Sequence, residues 1–352
     1  MCEPKPAPIK ISVVVLNYNG KAWLPRCYES LENQTLFRQI EVILTDNNSA
    51  DDSVKFTEEW FARAGAQGLI QQNGANLFYC GANNNGAARA RGEFLLFLNQ
   101  DAWLEPDCLE KLYQETRQAG AAAAAPLVQD YDDDGYQSGG DSGIDLFGMA
   151  TGGPPATSVQ ETFASPGCSL FINREIFHKV GGFPEEIMGY VDEVDLCWRV
   201  WSAGEKIVCV PAARVHHRGA VVANPEGDTK TVELRTTDSK RFLTNRNGLL
   251  FLLKNCRSFL LLLLVPHLCL LAAEALVMLV ILRRWGYVRT AYLNAITETF
   301  KMRGHILEWR RRIAGFRRRG DFYMVRFLRL KPTRWHEVTR LFKFGAPKVD
   351  AR

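Results

Sequence analysis

The sequence predicts an α/β protein with a mostly parallel central sheet flanked by helices, followed by a helical C-terminal region. Three short, mostly apolar runs lie at residues 11–16, 40–44 and 94–98, and the last of them shows no alternation of polar and apolar residues. Such runs are typical of strands that are buried on both faces of a sheet. Segments with helical patterning separate them, and this order favours parallel strands joined by crossover helices. A long apolar segment at 258–282, with a basic tail after it, sets the C-terminal region apart.

Polar side chains follow each of the three predicted strands at the point where the strand ends. In chain order they are Asn17, Asn19, Asp46, Asn48, Asn99 and Asp101. In an open α/β sheet, ligands bind beyond the carboxyl ends of the strands, so we expect these side chains to face one ligand. Asp101 suits Mg²⁺ or Mn²⁺, which takes one or two protein oxygens and further oxygens from substrate phosphates. The alternative is that Asp101 only caps a turn, as Asp often does.

Several classes of site are disfavoured by what the sequence lacks. No GxGxxG follows the first strand, and no GxxxxGK[ST] occurs anywhere in the chain. A Rossmann dinucleotide site or a P-loop would therefore lack its phosphate-binding signature. The nine cysteines are scattered without a CxxC pair, which fits a reducing compartment and argues against disulfides or structural zinc. The first ten residues are not expected to form a signal peptide.

The remaining elements are predicted from apolar runs, small-residue stretches and turn residues. Residues 76–92 are rich in Gly, Asn and Ala, which indicates a loop and a helix that let a ligand approach the backbone. The alternative is tight packing between helix and sheet. Ser49 or Asp51 is placed to cap the helix after the second strand. The other predicted elements are helices at 23–31, from Pro106 onward, at 174–180 and at 190–201, strands at 69–70, 121–128 and 207–210, a turn and strand at 165–172, and a loop at 130–155.

Three of these stretches together carry a family resemblance. The strand ending in Asn17-Tyr18-Asn19, the polar turn at 46–51 and Leu98-Asn99-Gln100-Asp101 fall in order and at suitable spacing. Over about residues 9–255 the chain resembles family 2 inverting glycosyltransferases of the GT-A fold, in particular the rhamnosyltransferase-like enzymes of bacterial cell-surface polysaccharide assembly. The processive synthases of the family are a poorer match, because their QxxRW motif is absent: Ile281 stands where its Gln would be.

The resemblance implies roles for individual residues on the donor side. Asp46 corresponds to the residue that contacts the nucleotide base. Asp101 and His217 would hold Mg²⁺ or Mn²⁺ with the diphosphate, and His217 aligns better than His216. Asn99 stands at the first position of the DxD-type motif, where the family usually has a carboxylate. The full set of implied donor-binding residues is Asn17, Asn19, Asp46, Asn48, Asn84 and Asn99.

A cluster of carboxylates at 192–195 marks the predicted catalytic centre. Asp192, Glu193 and Asp195 open a helix, where the helix dipole stabilises acids, and that alone is one explanation. The other is a general base, because a sugar hydroxyl attacks well only as its proton leaves. The stretch resembles the family's Glu-Asp motif with the two acids exchanged, which implies that Glu193 is the base beside Asp192. Residues implied on the acceptor side or nearby are Gly167, Asp195 and Arg246.

The charge distribution predicts a membrane partner for the C-terminal region. Residues 283–352 hold 19 Lys and Arg against 5 Asp and Glu, whereas the remainder holds 24 against 34. A basic tail on an acidic body indicates contact with an anionic surface. The arginine runs at 310–312 and 317–319, interleaved with Trp309 and Phe316, suit anionic lipid. Nothing else in the chain resembles a nucleic-acid module, so no nucleic-acid partner is predicted.

The apolar segment 258–282 is long enough to span a bilayer. Pro266 and Glu274 interrupt it, and a single span would place the basic tail outside the cytoplasm, against the positive-inside rule. We therefore predict a re-entrant or in-plane helical pair with a break near Pro266. The alternative is a buried helix of the soluble core.

These observations predict residues 1–255 as a catalytic domain and residues 256–352 as a helical, basic membrane-association region. The resemblance implies transfer of a sugar, with rhamnose favoured, from a nucleoside-diphosphate donor to a hydroxyl of a lipid-linked glycan. The expected location is the cytoplasmic face of the cell membrane, with peripheral or monotopic attachment. The alternative from a different class is a catalytically silent, membrane-associated scaffold that binds sugar nucleotides with the same fold.

Overall fold

A computed structural model describes residues 8–219, 235–330, 333 and 348–350 of the chain. Its strands are β1 (Ile11–Asn17), β2 (Ile40–Asp46), β3 (Gly68–Gln72), β4 (Phe94–Asn99), β5 (Ala102–Leu104), β6 (Ala123–Asp130), β7 (Tyr136–Ser138), β8 (Asp141–Ile144), β9 (Ala150–Gly152), β10 (Gln160–Glu161), β11 (Ser169–Asn173), β12 (Ile207–His217), β13 (Arg235–Thr237) and β14 (Lys348–Asp350). Within the described residues, ten of these strands form one sheet in the order β10-β12-β6-β11-β4-β1-β2-β3, with β5 also paired to β12 and β7 to β6.

Helices cover both faces of the sheet and make up most of the C-terminal region. They are α1 (Leu24–Glu32), α2 (Ser53–Ala64), α3 (Phe78–Arg89), α4 (Cys108–Gln118), α5 (Arg174–Lys179), α6 (Asp192–Ser202), α7 (Asp238–Asn255), α8 (Leu264–Leu282), α9 (Trp285–Val288), α10 (Ala295–Lys301), α11 (Arg303–Phe316) and α12 (Asp321–Met324). A π-helical stretch, Arg289–Asn294, joins α9 to α10. The α/β class predicted from the sequence is confirmed.

The strands β3, β2, β1 and β4 run parallel and bring their carboxyl ends to one edge of the sheet. Asn17 at the end of β1 lies opposite Asp46 of β2, and Leu16 lies opposite Asn99 of β4. All seven residues of β2 are buried, as expected for a strand covered on both faces. This register places the polar residues predicted at the strand ends beside one another.

The other half of the sheet is mixed rather than parallel. β11 lies between β4 and β6 and runs antiparallel to both, while β12 runs parallel to β6. The short strand β5 pairs antiparallel with the end of β12, so that Ala102 faces His217. The sequence did not predict β5, and the helix expected at Pro106 begins instead at Cys108. The arrangement brings residues near 101, 168 and 217 to the same edge as Asn17 and Asp46.

The small residues of α3 serve tight packing on the sheet, which was the alternative interpretation of residues 76–92. A Cβ added at Gly86 would lie 2.4 Å from Val14 Cγ1 and 2.7 Å from Thr45 Cγ2. Both contacts are far below van der Waals distance, so a side chain here would push the helix off β1 and β2. The close approach therefore depends on glycine at this position.

The core continues across the predicted boundary after residue 255. Cys256 and Leu260 are 0% and 2% exposed, and they belong to the same apolar cluster as Trp198 and Trp201 of α6. Phe327, near the end of the described C-terminal region, packs on Trp201 with ring centroids 4.9 Å apart. The division into two domains remains a prediction. In the structure, the two predicted parts share one apolar core.

The apolar segment does not form the predicted helical pair. Residues 258–263 form a 3₁₀ helix that leads directly into α8, and Pro266 lies in the first turn of α8. The missing N–H of a proline has no intrahelical partner in a first turn, so Pro266 does not break this helix. Leu276 and Val280 are 66% and 75% exposed. Within the described residues, this is the one helical segment long and apolar enough to cross a membrane, and only 17% of its most apolar window is buried.

Candidate active site

The ends of β1 and β2 form a polar turn built around Asp46. Asp46 Oδ1 accepts hydrogen bonds from Asn17 Nδ2 at 2.7 Å and from Ser49 Oγ at 2.5 Å. Asp46 Oδ2 accepts from the Ser49 backbone N–H at 3.1 Å. Asn17 Nδ2 also lies 2.9 Å from Ser53 Oγ at the start of α2. These contacts fix the carboxylate that the sequence assigns to the nucleotide base.

The loops after β1 and β2 are tied to each other at the protein surface. Asn19 Oδ1 accepts from the Ala50 N–H at 2.7 Å, and the Asn19 N–H donates to Ser49 Oγ at 2.9 Å. Asn48 is exposed and has a φ of 66°, which Asn tolerates better than most residues. Both predicted donor-side asparagines therefore lie on an open edge next to Asp46. Asp51, predicted as a cap, accepts from the Ser53 N–H at 3.1 Å at the start of α2.

Asp101 and His217 meet where β4 and β12 end. His217 Nε2 lies 3.6 Å from Asp101 Oδ1, and their side chains are 16% and 10% exposed. Burial acts to lower the pKa of His217, but the Cys168 thiol and the Asp101 carboxylate hold that pKa well above its usual range. The pair thus attracts positive charge, which a proton or a metal ion can supply.

The donor set of this pair fits a divalent cation. A carboxylate oxygen and an imidazole nitrogen suit Mn²⁺, and a site with two protein ligands leaves positions for phosphate oxygens and water. Within the described ranges, no group of three or more His, Cys, Asp or Glu is arranged to hold a metal ion.

The neighbouring His216 is used differently. Its Nδ1 lies 2.9 Å from the Asp130 carbonyl oxygen, and its ring stacks on Trp103 with centroids 3.8 Å apart. His216 Nε2 lies 3.6 Å from Glu105 Oε1. The structure thus places His217, and not His216, beside Asp101.

The turn that precedes β11 lies between the pair Asp101 and His217 and the carboxylates of α6. The Cys168 carbonyl accepts from the Asn99 N–H at 3.0 Å. The Gly167 carbonyl accepts from Tyr79 Oη at 2.5 Å, and a Cβ added at Gly167 would lie 3.8 Å from Glu193 Oε2. Gly167 therefore leaves open the space between the strand ends and Glu193.

Asp192 and Glu193 are adjacent carboxyl groups at the start of α6, and each affects the ionisation of the other. Asp192 is 4% exposed, and burial together with the Glu193 carboxylate raises the pKa of Asp192 well above its usual range. Burial also raises the pKa of Glu193. Both carboxyl groups therefore hold a proton more readily than in water, and the two titrate as a pair.

The segment that leads into α6 has an unusual backbone. Met188, Tyr190 and Val191 have φ values of 66°, 63° and 67°. Such angles are uncommon for residues other than glycine and are a true outlier for a β-branched residue such as Val191. Strained backbone of this kind persists only where surrounding contacts hold it.

Two residues of α7 supply those contacts. Asn247 Nδ2 lies within hydrogen-bonding distance of the carbonyls of Ile187 (2.9 Å), Gly189 (2.8 Å) and Tyr190 (3.1 Å). Arg246 Nη2 donates to the Glu186 carbonyl at 2.6 Å, and Arg246 also donates to Asn247 Oδ1. We call Arg246 and Asn247 the α7 brace. In this structure the predicted acceptor-side residue Arg246 thus binds the backbone of Glu186, seven residues before Glu193.

Asp195 lies on the buried side of α6 in a network of charges. Arg199 Nε donates to Asp195 Oδ2 at 2.9 Å, and Lys254 Nζ lies 3.3 Å from Asp195 Oδ1. All three side chains are 0% exposed. Burial alone would raise the pKa of Asp195, but Lys254, Arg199 and Asn255 Nδ2 lower it below its usual range. Its carboxylate is saturated by these partners and does not face solvent, so its acceptor-side role remains a prediction without a contact to support it.

Asn84 is also engaged by the protein. Its Nδ2 donates to the Phe183 carbonyl at 2.8 Å, and its Oδ1 accepts from the Phe183 N–H at 3.0 Å. The preceding Asn83 is 1% exposed, and neither of its amide atoms has a hydrogen-bond partner among the described residues. Because buried polar atoms are rarely left unpaired, Asn83 is a better candidate for ligand contact than Asn84, which stays a prediction.

Sequence reasoning missed two residues of this region. Tyr79 carries no motif and reaches the site only through the fold. Asp141 lies in β8, within the stretch predicted to be a loop, and burial with the Glu193 carboxylate raises its pKa to about 7. Arg246 was predicted from the family resemblance. Nothing in the local sequence around Arg246 and Asn247, however, indicates their contacts with residues 186–190, some sixty positions away.

Comparison with known proteins agrees with this geometry. Residues 12–181 match the family described as Glycosyl transferase family 2. EpsH of Bacillus subtilis (strain 168) is 38% identical over 103 residues, which cover 29% of each chain. The N-acetylglucosaminyl-diphospho-decaprenol L-rhamnosyltransferase of Mycobacterium tuberculosis is 28% identical over 240 residues, covering 60% of this chain and 76% of that one.

A likeness to solved structures supports the fold. The crystal structure of GalNAc-T7 with UDP, GalNAc and Mn²⁺ superposes with a TM-score of 0.52 at 21% identity, covering 60% of this chain and 44% of that chain. The chain thus spans less than half the length of EpsH and of GalNAc-T7. The family match, the ordered strand-end motifs and the GT-A-like fold agree with one another. Residues 12–181 therefore carry a family 2 glycosyltransferase domain, and the fold of the described chain is GT-A-like.

Proposed function

We propose that this protein is an inverting glycosyltransferase that moves rhamnose from a nucleoside-diphosphate donor to a hydroxyl of a lipid-linked glycan. The observation that carries the proposal is the Asp101–His217 pair at the strand ends, with the Gly167–Cys168 turn between that pair and Glu193: Cys168 lies beside His217, and a Cβ added at Gly167 would lie 3.8 Å from Glu193 Oε2. A donor held at the strand ends would present its anomeric carbon toward that carboxylate. Inversion needs one displacement, with nucleophile and leaving group on opposite sides of the carbon.

Glu193 is proposed as the general base. In the reaction, the acceptor oxygen forms a bond to the anomeric carbon, the bond to the diphosphate oxygen breaks, and the acceptor proton passes to Glu193. A protonated Asp192 beside Glu193 would favour the ionised form of Glu193, which is the form that accepts a proton. Asp192 is thus proposed as the partner that orients the base.

The donor side is proposed to use the polar strand ends. Asp46, with Asn17, Asn19, Asn48 and the unpaired amide of Asn83, would contact the nucleoside, and Asn99 would lie near the diphosphate. Asp101 and His217 would hold Mg²⁺ or Mn²⁺, which would supply Lewis-acid stabilisation of the leaving diphosphate. The GalNAc-T7 structure, which contains Mn²⁺ and UDP, supports this choice of ion.

The acceptor and the location are inferred from the C-terminal region. The relative from Mycobacterium tuberculosis is named for an acceptor in which N-acetylglucosamine is linked through a diphosphate to decaprenol. In this chain the exposed apolar side chains of α8 and the 57% exposed Trp285 would enter the acyl region of a bilayer. We place the protein at the cytoplasmic face of the cell membrane as a peripheral or monotopic enzyme that meets a lipid-linked acceptor there.

A screen of nucleotide sugars by thermal shift, with Mn²⁺ or with EDTA, tests the donor assignment. A selective donor stabilises the folded state by about 2.7 kcal/mol at 100 times its Kd. The selected donor is then incubated with a polyprenyl-diphosphate-linked acceptor, and product is followed by mass spectrometry. Stabilisation by dTDP-rhamnose with acceptor-dependent turnover is the expected result. Stabilisation without turnover on any acceptor would instead identify the silent scaffold.

A further inference from the structure

A second polar site lies between the end of α7 and the helix α11, and it shares no residue with the proposed donor and metal site. A cavity of about 160 Å³ is lined by Lys254, Arg257, Arg310, Ala314 and Arg317. Four of these five side chains are cationic. We propose that this cavity binds a phosphate-type oxyanion, supplied by the headgroup of an anionic phospholipid.

Arg317 is buried without full compensation. Its side chain is 10% exposed, its Nη2 donates to the Asn255 carbonyl at 2.6 Å, and its Nη1 lies 3.8 Å from Asp321 Oδ1. Nη1 has no hydrogen-bond partner among the described residues. The Asp321 carboxylate already accepts from the backbone N–H groups of Arg257 and Leu260 at 3.1 and 3.2 Å. A buried guanidinium with an unused donor is costly unless a ligand or water satisfies it.

The other cations leave the cavity with excess positive charge. Arg310 Nη1 donates to the carbonyls of Leu253 and Cys256 at 2.7 and 2.8 Å, and these neutral acceptors do not cancel its charge. Arg257 is exposed. Neither Arg257 nor Arg310 forms an ion pair within the part of the chain that the structure describes. Burial, with repulsion from these two arginines, lowers the pKa of Arg317 in spite of Asp321.

Lys254 does not add to this excess, because carboxylates on its other side neutralise it. Its Nζ lies 3.3 Å from both Glu186 Oε1 and Asp195 Oδ1. Of the lining cations, Arg257, Arg310 and Arg317 therefore remain, and among the described residues Asp321 is the one carboxylate that forms an ion pair with any of them. One further negative charge or two would balance them.

The chemistry and size favour a phosphate group. Guanidinium groups bind phosphate oxygens through paired N–H donors. The cavity volume of about 160 Å³ is roughly ten times the space that a single water needs, which leaves room for a tetrahedral oxyanion and some water.

The surroundings point to a lipid as the source, an argument that rests on the membrane association proposed above. Arg257 directly precedes the apolar segment 258–282, and Asp321 directly precedes Phe322, which is 90% exposed. The rings of Phe322 and Phe259 lie 5.0 Å apart. Cations beside exposed aromatic and aliphatic side chains match the boundary between lipid headgroups and acyl chains.

Binding of the full-length protein to inorganic phosphate, by calorimetry, and to vesicles, by flotation, tests the proposal. Vesicles of phosphatidylcholine alone are compared with vesicles that also contain phosphatidylglycerol. Arg257→Gln changes an exposed side chain and should not affect folding, and Arg317→Lys keeps the buried charge but loses the fork of donors. Arg311→Gln is the matched control, because Arg311 is an exposed arginine of α11 that does not line the cavity. Melting curves confirm that each variant is folded.

We expect Arg257→Gln and Arg317→Lys to weaken phosphate binding by about 10- to 100-fold, as for lost hydrogen bonds to a charged group, while Arg311→Gln leaves it unchanged. Arg311→Gln should weaken binding to anionic vesicles about fivefold, which is the effect of one charge near an anionic surface. Arg257→Gln and Arg317→Lys should weaken this binding more. Inorganic phosphate should compete with the vesicles. Equal losses in all three variants would show a diffuse basic surface, and phosphate binding without competition would show a site for free phosphate; either result overturns the lipid assignment. Since no readout uses sugar transfer, failure of the proposed reaction would leave this test unaffected.

Discussion

Replacing Glu193 by Gln is the most direct test of the proposed chemistry. The substitution keeps the size and the hydrogen bond to Asp192 but removes the group that accepts a proton. Loss of a general base lowers the rate by about 10²–10⁴-fold, or about 3–5 kcal/mol in the activation barrier. Donor binding should persist, because the strand ends that hold the donor are separate from α6.

The structure predicts different outcomes for the two neighbouring acids. Asp192→Asn keeps an N–H donor toward Glu193, so the transfer rate should change little. Asp192→Ala removes that donor, so the pKa of Glu193 should rise and the ascending limb of the rate–pH profile should move to higher pH. Asp195→Asn breaks a buried charge network, which typically costs about 3–5 kcal/mol, and should lower the melting temperature more than the rate.

Stability against pH gives an independent check on Asp192. Its pKa is raised in the folded state, so its contribution to stability is present below its unfolded value and is lost as the pH rises through the folded value. Asp192→Asn cannot ionise and should therefore raise the melting temperature at high pH but not at low pH. The assay pairs single-turnover transfer with melting curves across pH. Near-normal transfer by Glu193→Gln would refute the assignment of the base, and a severe loss in Asp192→Asn would move it by one residue.

Three further outcomes are expected. Asp101→Asn should lower the Mn²⁺-dependent affinity for the nucleotide by at least about tenfold, measured by calorimetry with Mn²⁺ and with EDTA; an unchanged difference would remove Asp101 from the metal site. Asn247→Asp loses the donors that hold the backbone before α6 and should lower kcat by roughly 100-fold, as misplacement of about 1 Å does, with little change in donor KM. Asn245→Asp is its control, since Asn245 is equally buried in α7 but donates to the Ala291 carbonyl at 2.8 Å. Equal losses of kcat in the two variants would mean that both act through general destabilisation of the protein. Leu276→Glu with Val280→Glu should reduce flotation with vesicles without changing the melting temperature, and unchanged flotation would show that α8 does not contact lipid.

The parallel half of the sheet could be predicted because local signals suffice there. Continuous apolar runs specify strands buried on both faces, and the polar residues that end them specify the edge where a ligand binds. The register then aligns Asn17 with Asp46 without further information. The antiparallel position of β11 and the strand β5 were harder to predict from the sequence. Their partner strands lie far away along the chain, and their own apolar patterns are short.

The C-terminal region was harder to predict because its composition has two explanations. An apolar run with flanking arginines is typical of a membrane segment, yet arginines in the tail also bind the catalytic body. Arg310 donates to carbonyls at the end of α7, and Arg317 and Arg319 donate to the carbonyls of Asn255 and Glu205. A count of charges along the sequence treats these three arginines as surface charges. Only the fold shows which of these arginines stay at the surface and which hold two parts of the protein together.

The α7 brace shows why the presentation of Glu193 cannot be derived from its own neighbourhood. Local rules would place positive φ at Gly189, but the structure places it at Met188, Tyr190 and Val191. Left-handed backbone costs roughly 1–2 kcal/mol for each residue that is not glycine. Asn247 Nδ2 has two N–H donors for the three carbonyls of this segment, which contribute about 2 kcal/mol at the usual net value of a hydrogen bond, and the charged hydrogen bond from Arg246 to the Glu186 carbonyl adds about 1.5–3 kcal/mol. The two quantities are comparable, so the segment holds its shape only while the brace is in place, and a change at Asn247 should be felt at Glu193 although the two residues share no contact.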